Sequence, residues 1–257
     1  MTAEVKILVE GYTNADTKAE SGGEEKTCAT ITLVRDKDLI MVVDPGILES
    51  QQILIDALAK EGLDVKDVNM VCITHSHLDH YRNIGMFPDA KSLDYFGVWD
   101  KSVCESWYEQ FTSNIQILKT PGHDYTSITL FVKTENGVVA ICGDVFWREN
   151  SPEYDHNAKT EKELKELNES RQLVLEMADW IIPGHGGMYK TDKSKIAELD
   201  KENVKIKIEG EKIFGYCRKC KRAMKSKLDS CRCRPHLCHY CCECGIDCDL
   251  CGCTHKI

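Results

Sequence analysis

The sequence predicts an α/β (α+β) chain. Two β-rich halves carry helices on their outer faces, giving a four-layer αββα arrangement, and a small second unit follows. Three observations carry this expectation. Strand-length apolar runs occur in two sets, residues 5–73 and 115–182. Helix-period segments accompany both sets. Cysteine use then changes abruptly: 4 of the 15 cysteines (Cys28, Cys72, Cys104, Cys142) are scattered through the body, and the other 11 lie between Cys217 and Cys253. The expected division is a domain over 1–212 and a cysteine-rich module over 213–257.

In chain order, Val5 to Val9 reads as a strand. Asn14 to Lys26 is a polar loop containing Gly22-Gly23. Cys28 to Val34 and Leu39 to Val43 read as a hairpin around the turn Arg35-Asp36-Lys37-Asp38. Asp44-Pro45-Gly46 closes the second of these strands. Glu49 to Glu61 reads as a helix ending at Gly62, with Ile53, Leu54, Ala57 and Leu58 on one side. Val68 to Ile73 is a buried-type strand. The stretch Glu105 to Phe111 is ambiguous. Ile115 to Leu118, Ser127 to Val132 and Val138 to Cys142 are further strands. Glu161 to Ala178 is a long helix, Trp180 to Ile182 a last strand, and Ser194 to Lys212 a terminal helix.

The formal net charge is -9. Residues 201–257 nevertheless carry 13 Lys and Arg against 7 Asp and Glu, so the body is strongly acidic and the tail basic. An acidic body repels polyanions on average, while a local basic patch can still attract them. Met1 to Glu10 has no basic segment ahead of an apolar one. No apolar run approaches the ~18 residues of a membrane span. The expectation is a cytoplasmic or nuclear protein with no membrane association.

Chemistry concentrates in Thr74-His75-Ser76-His77-Leu78-Asp79-His80. The motif follows an apolar strand directly, so a rigid element holds a ligand-rich loop. His75 and His77 can turn toward one metal, and Asp79 and His80 can reach a second. Imidazole and carboxylate suit zinc. Alone, the cluster could equally hold a single ion. Three further residues stand beside glycine at strand ends: His123 in Thr120-Pro121-Gly122-His123, Asp144 in Cys142-Gly143-Asp144, and His185 in Pro183-Gly184-His185-Gly186. Each alone could be a turn residue; together they complete two sites. Cys72 and Cys142, at strand ends, read as packing residues.

This order of residues resembles the metallo-beta-lactamase superfamily, from about Val5 to Tyr189. The resemblance implies that His75, His77 and His123 hold one zinc ion. Asp79, His80 and His185 would hold the second, and Asp144 would bridge them. Asp44 matches the family's early Asp-Pro-Gly turn and would orient a ligand rather than bind metal. The antibiotic-hydrolysing branch has cysteine where this chain has Asp144, which argues against β-lactam cleavage. Only 20 residues separate His123 from Asp144, so the inserted domain of the large nuclease branch is missing. The stretches His75 to Phe87, Gly143 to Phe146 and Arg171 to Gly186 are similar to a group of short members linked to RNA 3′-end processing. That likeness implies a phosphodiesterase acting on RNA. Compact members also include thioesterases of the glyoxalase II type and lactonases, and a non-enzymatic metal-handling or interaction role is the third alternative.

Two metal ions can share a water or hydroxide whose pKa falls toward neutrality, and that hydroxide would attack an acyl carbon or phosphorus. Asp79 could orient it. Candidate substrate contacts are Trp147 and Arg148, the latter a planar donor for phosphate or carboxylate unless it pairs with Glu149 or Glu153. Tyr95, Phe96, Trp99, Trp107 and Tyr108 could wall a pocket or simply pack the domain.

The tail contains Cys217, Cys220, Cys231, Cys233, Cys238, Cys241, Cys242, Cys244, Cys248, Cys251 and Cys253 in CxxC and CxC pairs. Eleven thiols exceed the needs of one zinc, and two to three zinc ions in a zinc finger-like module are expected. With little apolar content, such a module would fold on metal. Arg218, Lys219, Lys221, Arg222, Lys225, Lys227, Arg232 and Arg234 face one acid, Asp229, in the same region. RNA or single-stranded nucleic acid is one partner this fits. Protein docking, including a homodimer, and metal storage are the others.

Overall fold

The computed structural model describes residues 2–16, 24–149, 155 and 157–196, together with the backbone of 215–216 and 223–224. The chain divides into two compact units, Met1–Ile206 and Lys207–Ile257. The first has an α/β fold of two mixed sheets with few helices.

Seven strands form the first sheet: β1 (Glu4–Val9), β4 (Ile31–Asp36), β5 (Leu39–Val43), β6 (Met70–Cys72), β7 (Lys91–Leu93), β8 (Val98–Asp100) and β9 (Val103–Glu105), adjacent in that order. The β5–β6 and β6–β7 pairs are parallel and the others antiparallel. A two-stranded ribbon, β2 (Tyr12–Thr13) with β3 (Thr27–Cys28), lies between β1 and β4 in sequence. The second sheet runs β10 (Ile115–Lys119), β11 (Ile128–Thr134), β12 (Gly137–Ile141), β13 (Trp180–Ile182) and β14 (Tyr189–Lys190). Here only β12–β13 is parallel.

Strand alternation explains the layering. Val34, Met41, Val43, Met70, Cys72 and Leu93 from the first sheet meet Ile115, Ile117, Leu130, Val132, Val139 and Ile141 from the second in one apolar core. Their neighbours point the other way. Val42 and Val71 pack on Leu54 and Leu58 of helix α1 (Gln52–Lys60). Phe131, Ala140 and Ile181 pack on Val174 and Leu175 of helix α3 (Glu161–Met177). Thr160 starts α3 with a capping box shared with Glu163. Each sheet is therefore sealed on one side by the other sheet and on its outer side by a helix.

Several boundaries differ from expectation. The run Cys28 to Val34 is broken after Cys28, because Ala29 and Thr30 leave the ladder to bond the backbone of Asp79 and Gly184. Asp36 belongs to β4, and only Lys37-Asp38 turn, with Lys37 at φ 56°. Glu49 to Gln51 precede α1 rather than forming its first turn. Strands β7 to β9 fall in a region with no strand assigned from the sequence, and most of Glu105 to Phe111 lies outside regular structure. Of the terminal helix expected over 194–212, the described residues show a 3-10 turn, Lys193–Lys195, and Ile196 in helical conformation; 197–212, and all eleven tail cysteines, lie outside them. Among the described residues no helix is long and apolar enough to cross a membrane.

Candidate dinuclear metal centre

Four strand ends deliver the site. After β6, Ile73 and Thr74 lead into His75 and His77, and the short helix α2 (Leu78–Tyr81) carries Asp79 and His80. After β10 comes His123, after β12 Asp144, and after β13 His185. The sheets are joined at this seam: Ile128 N donates to Thr74 O at 2.8 Å, and Thr30 N donates to Gly184 O at 2.7 Å. Ligand turns from both halves thus meet at one end of the sandwich, where strand ends and loops converge.

Two groups of ligand atoms result, His75, His77, His123 and Asp144 in one and Asp79, His80 and His185 in the other. His77 Nδ1 lies 3.1 Å from His75 Nε2 and 3.0 Å from His123 Nε2. Asp144 Oδ2 is 3.3 Å from both His123 Nε2 and His185 Nε2, and Asp144 Oδ1 is 3.3 Å from His80 Nε2. Asp144 therefore touches both groups. His185 Nε2 lies 3.6 Å from Asp79 Oδ2.

The backs of the imidazoles fix what their fronts present. Asp44, at φ 50°, accepts from Thr74 N at 2.8 Å, Thr74 Oγ1 at 2.7 Å and His80 Nδ1 at 2.8 Å. The Thr74 hydroxyl gives its proton to Asp44, so its oxygen accepts from His75 Nδ1 at 3.1 Å. His123 Nδ1 donates to Asp155 Oδ2 at 2.8 Å, and His185 Nδ1 to the Cys28 carbonyl at 2.9 Å. Four histidines are thereby held with Nδ1 donating to the protein behind and Nε2 facing inward. His77 alone turns Nδ1 inward.

This geometry fits a bound cation. His75 Nε2 and His123 Nε2 both lie within 3.1 Å of His77 Nδ1, a convergence of ring nitrogens that a shared ion would satisfy. His80 Nε2 and Asp144 Oδ1 are buried without a hydrogen-bond partner, a costly state for polar atoms unless a ligand satisfies them. The set of five imidazoles and two carboxylates suits zinc. Bound there, two ions would supply Lewis acidity and a water of lowered pKa.

Electrostatics follow from burial and neighbours. Burial, reinforced by His80, holds His75 well below the ordinary imidazole range, and burial and His123 lower His77. Burial would also lower His80, but the Asp144 and Asp44 carboxylates overcome it and raise His80 well above that range. Burial would raise Asp144, yet His185, His80 and His123 bring it well below the usual carboxylate range. Cys142 is buried, and burial pushes its thiol up to about 12, which suits packing and not nucleophilic work.

Backbone features set the ligand turns. A Cβ on Gly184 would stand 1.7 Å from Asp144 Oδ1, so only glycine fits there. Gly143 sits at φ +50°, and a Cβ would strike Thr74. Arg171, buried on α3, donates Nε to Val145 O at 3.0 Å and steadies the turn carrying Asp144. Ser170 Oγ donates to Pro121 O at 2.7 Å and does the same for His123.

A cleft of about 380 Å³ opens over the ligands, with Thr13, Glu25, Thr27, Leu78 and Asn157 in its wall. Trp147 reaches it but is buried, its indole edge-on to His123 with ring centroids 6.1 Å apart. Arg148 pairs with Asp16, and Glu153 lies outside the described residues. Tyr95 and Trp107 pack against the inter-sheet core, while Phe96, Trp99 and Tyr108 are exposed. Residues not singled out from the sequence include Asp155, Thr74 and Thr27, whose hydroxyl donates to Asp79 Oδ2 at 2.7 Å. Their partners lie 32, 30 and 52 positions away (Thr74 also bonds its neighbour His75), so local sequence held little signal for them.

The metallo-beta-lactamase superfamily model matches residues 29–103. Metallo-beta-lactamase domain-containing protein 1 of Mus musculus is 31% identical over 182 residues, covering 67% of this chain and 68% of the mouse protein. The chain belongs to the metallo-beta-lactamase superfamily. The Xenopus laevis protein of the same name is 29% identical over 209 residues, 77% of this chain and 87% of that protein. A metallo-beta-lactamase family protein from Thermus thermophilus shares the fold, with TM-score 0.53 and 18% identity over 78% of this chain and 79% of that one. With the two ligand groups, superfamily membership makes this chain a metal-dependent hydrolase with a dinuclear site consistent with zinc.

Proposed function

We propose that the enzyme is a phosphodiesterase that cleaves RNA. The observation that carries this reading is Asp144, whose two oxygens face the two ligand groups. A pair of adjacent metal positions suits phosphoryl chemistry, where charge develops on both the attacking and the leaving oxygen. Asp79, fixed by the Thr27 hydroxyl, would accept a proton at the cleft floor. The basic segment around Arg218, Lys219, Lys221 and Arg222 would grip substrate phosphates, on a module that the tail cysteines fold around two to three zinc ions.

A second reading has its own support. Among the described residues lining the cleft there is no Lys or Arg, and Arg148 at its margin is engaged by Asp16. Such a wall suits an uncharged ester, thioester or lactone. One experiment separates the two: the zinc-loaded full chain is offered single-stranded RNA, single-stranded DNA, acyl thioesters and lactones. Cleavage of RNA that is abolished in Asp144→Asn supports the first reading. Turnover of acyl substrates alone supports the second. Replacing Arg218, Lys219, Lys221 and Arg222 by alanine in the full chain should weaken RNA binding and flatten its salt dependence. Turnover of any small ester should be unchanged.

A further inference from the structure

Four ligand histidines present Nε2 to the site and Nδ1 to the protein behind, and what stands behind them differs. Behind His75 is the neutral hydroxyl of Thr74, and behind His185 a backbone carbonyl. Behind His80 is the carboxylate of Asp44, and behind His123 the carboxylate of Asp155, each at 2.8 Å. Each ligand group thus contains one imidazole backed by a carboxylate: His123 in the first and His80 in the second.

We propose that Asp155 is a positioning residue of the first metal site alone, whereas Asp44 backs His80 of the second directly and reaches the first only through Thr74 and His75. The proposal rests on the dinuclear reading of the site. Asp155 is fully buried, with a relative exposure of 0%. A carboxylate leaves water only against a large penalty, so its place must be compensated. Among the described residues, that compensation comes from His123 Nδ1–H and from Asn157 N–H, which donates to Oδ1 at 2.9 Å. The turn is held further by Ala158 N donating to Asp155 O at 3.1 Å, just ahead of the capped start of α3.

An ionised carboxylate can only accept, so Asp155 obliges Nδ1 of His123 to carry the ring proton. The lone pair then stays on Nε2, the atom that faces His77 and Asp144. Trp147 Nε1 lies 3.4 Å from the same Nδ1, a longer contact than the 2.8 Å bond to Asp155, and its indole closes another side of the ring. Without Asp155, the proton is free to move to Nε2 and the ring to turn, and both changes remove a ligand from the first group. The second group keeps its own carboxylate and loses nothing.

Manganese(II) is the suitable probe in the full chain, because the thiols of 217–253 favour softer ions. Uptake is followed by titration and by electron paramagnetic resonance, which separates a coupled pair of ions from a single one. The parent should bind two coupled ions. Asp155→Ala should keep one at parental affinity, bind the other ~10–100-fold more weakly, and show a single-ion spectrum at limiting metal. Asp44→Ala should weaken chiefly the second ion, with a smaller effect on the first through Thr74 and His75, and the double variant should weaken both. Asp155→Asn retains an acceptor oxygen; it should fall between parent and alanine, and it carries the test if the alanine variant does not fold. Parental affinity for both ions in both Asp155 variants would overturn the proposal. So would equal weakening of both ions by Asp155→Ala, which marks a general brace, or a double variant no weaker than the singles. If the parent itself binds fewer than two ions, the dinuclear reading fails first.

Discussion

Asp144 is where the two halves of the site become one, since its carboxylate touches His80, His123 and His185. Asp144→Asn should lower metal affinity by more than the ~10–100-fold typical of losing a partner behind a ligand, which a competing chelator would measure. Gly184→Ala should have a comparable effect for a steric reason, as its Cβ would overlap Asp144 Oδ1. Normal zinc content in that variant would contradict the close approach. These ligands were readable from the sequence because each follows an apolar strand and stands next to glycine or in the dense 75–80 motif. Asp155 was not, because it is one of several acids in a polar stretch and its partner is brought in by the fold. Arg148 shows the same limit: Asp16, 132 positions away, is a partner that only the fold brings to it.

Among the elements, the long apolar runs announced themselves and the short edge strands did not. Strands β10, β11 and β12 carry alternating side chains whose inner members are fully buried between the sheets. Ile117→Ala, with 0% exposure at that position, should cost about 2–5 kcal/mol in denaturant unfolding. A loss under about 1 kcal/mol would mean that the inter-sheet core tolerates a cavity there. Strands β8 and β9 contain three residues each and are largely exposed, so they present no periodicity to read. Their pairing is set by the sheet edge they extend. The break after Cys28 has a different cause. Ala29 and Thr30 are apolar enough and β-branched enough to continue a strand, but the seam with the second sheet claims their backbone groups.

At the scale of the whole molecule, His80 and His185 should tie stability to pH in opposite directions with and without metal, while the lowered His75 and His77 act against them in the metal-free protein. His80 is raised well above its ordinary range by Asp144 and Asp44, and His185 is raised by Asp144 against the lowering effect of burial. In the metal-free protein these protonated imidazoles contribute stability that is fully present below the unfolded value of ~6.5. That stability is lost as pH rises through the folded values. Metal must displace the same protons, so zinc affinity should fall as pH falls, and uptake should release protons. Calorimetry in buffers of different ionisation enthalpy would detect the release. A pH-independent affinity between about pH 6 and pH 8 would mean that neither histidine holds a proton in the metal-free state.

The layout of the two ligand groups along the chain also orders their birth. Asp144 completes the first group, whereas the second waits for His185, 41 positions later. All four ligands of the first group are therefore in the growing chain before β13 and His185 are added to it. Asp155 follows Asp144 by only a few codons, well ahead of His185. The ligands of the first metal position, and the carboxylate behind His123, thus precede the last ligand of the second in order of synthesis.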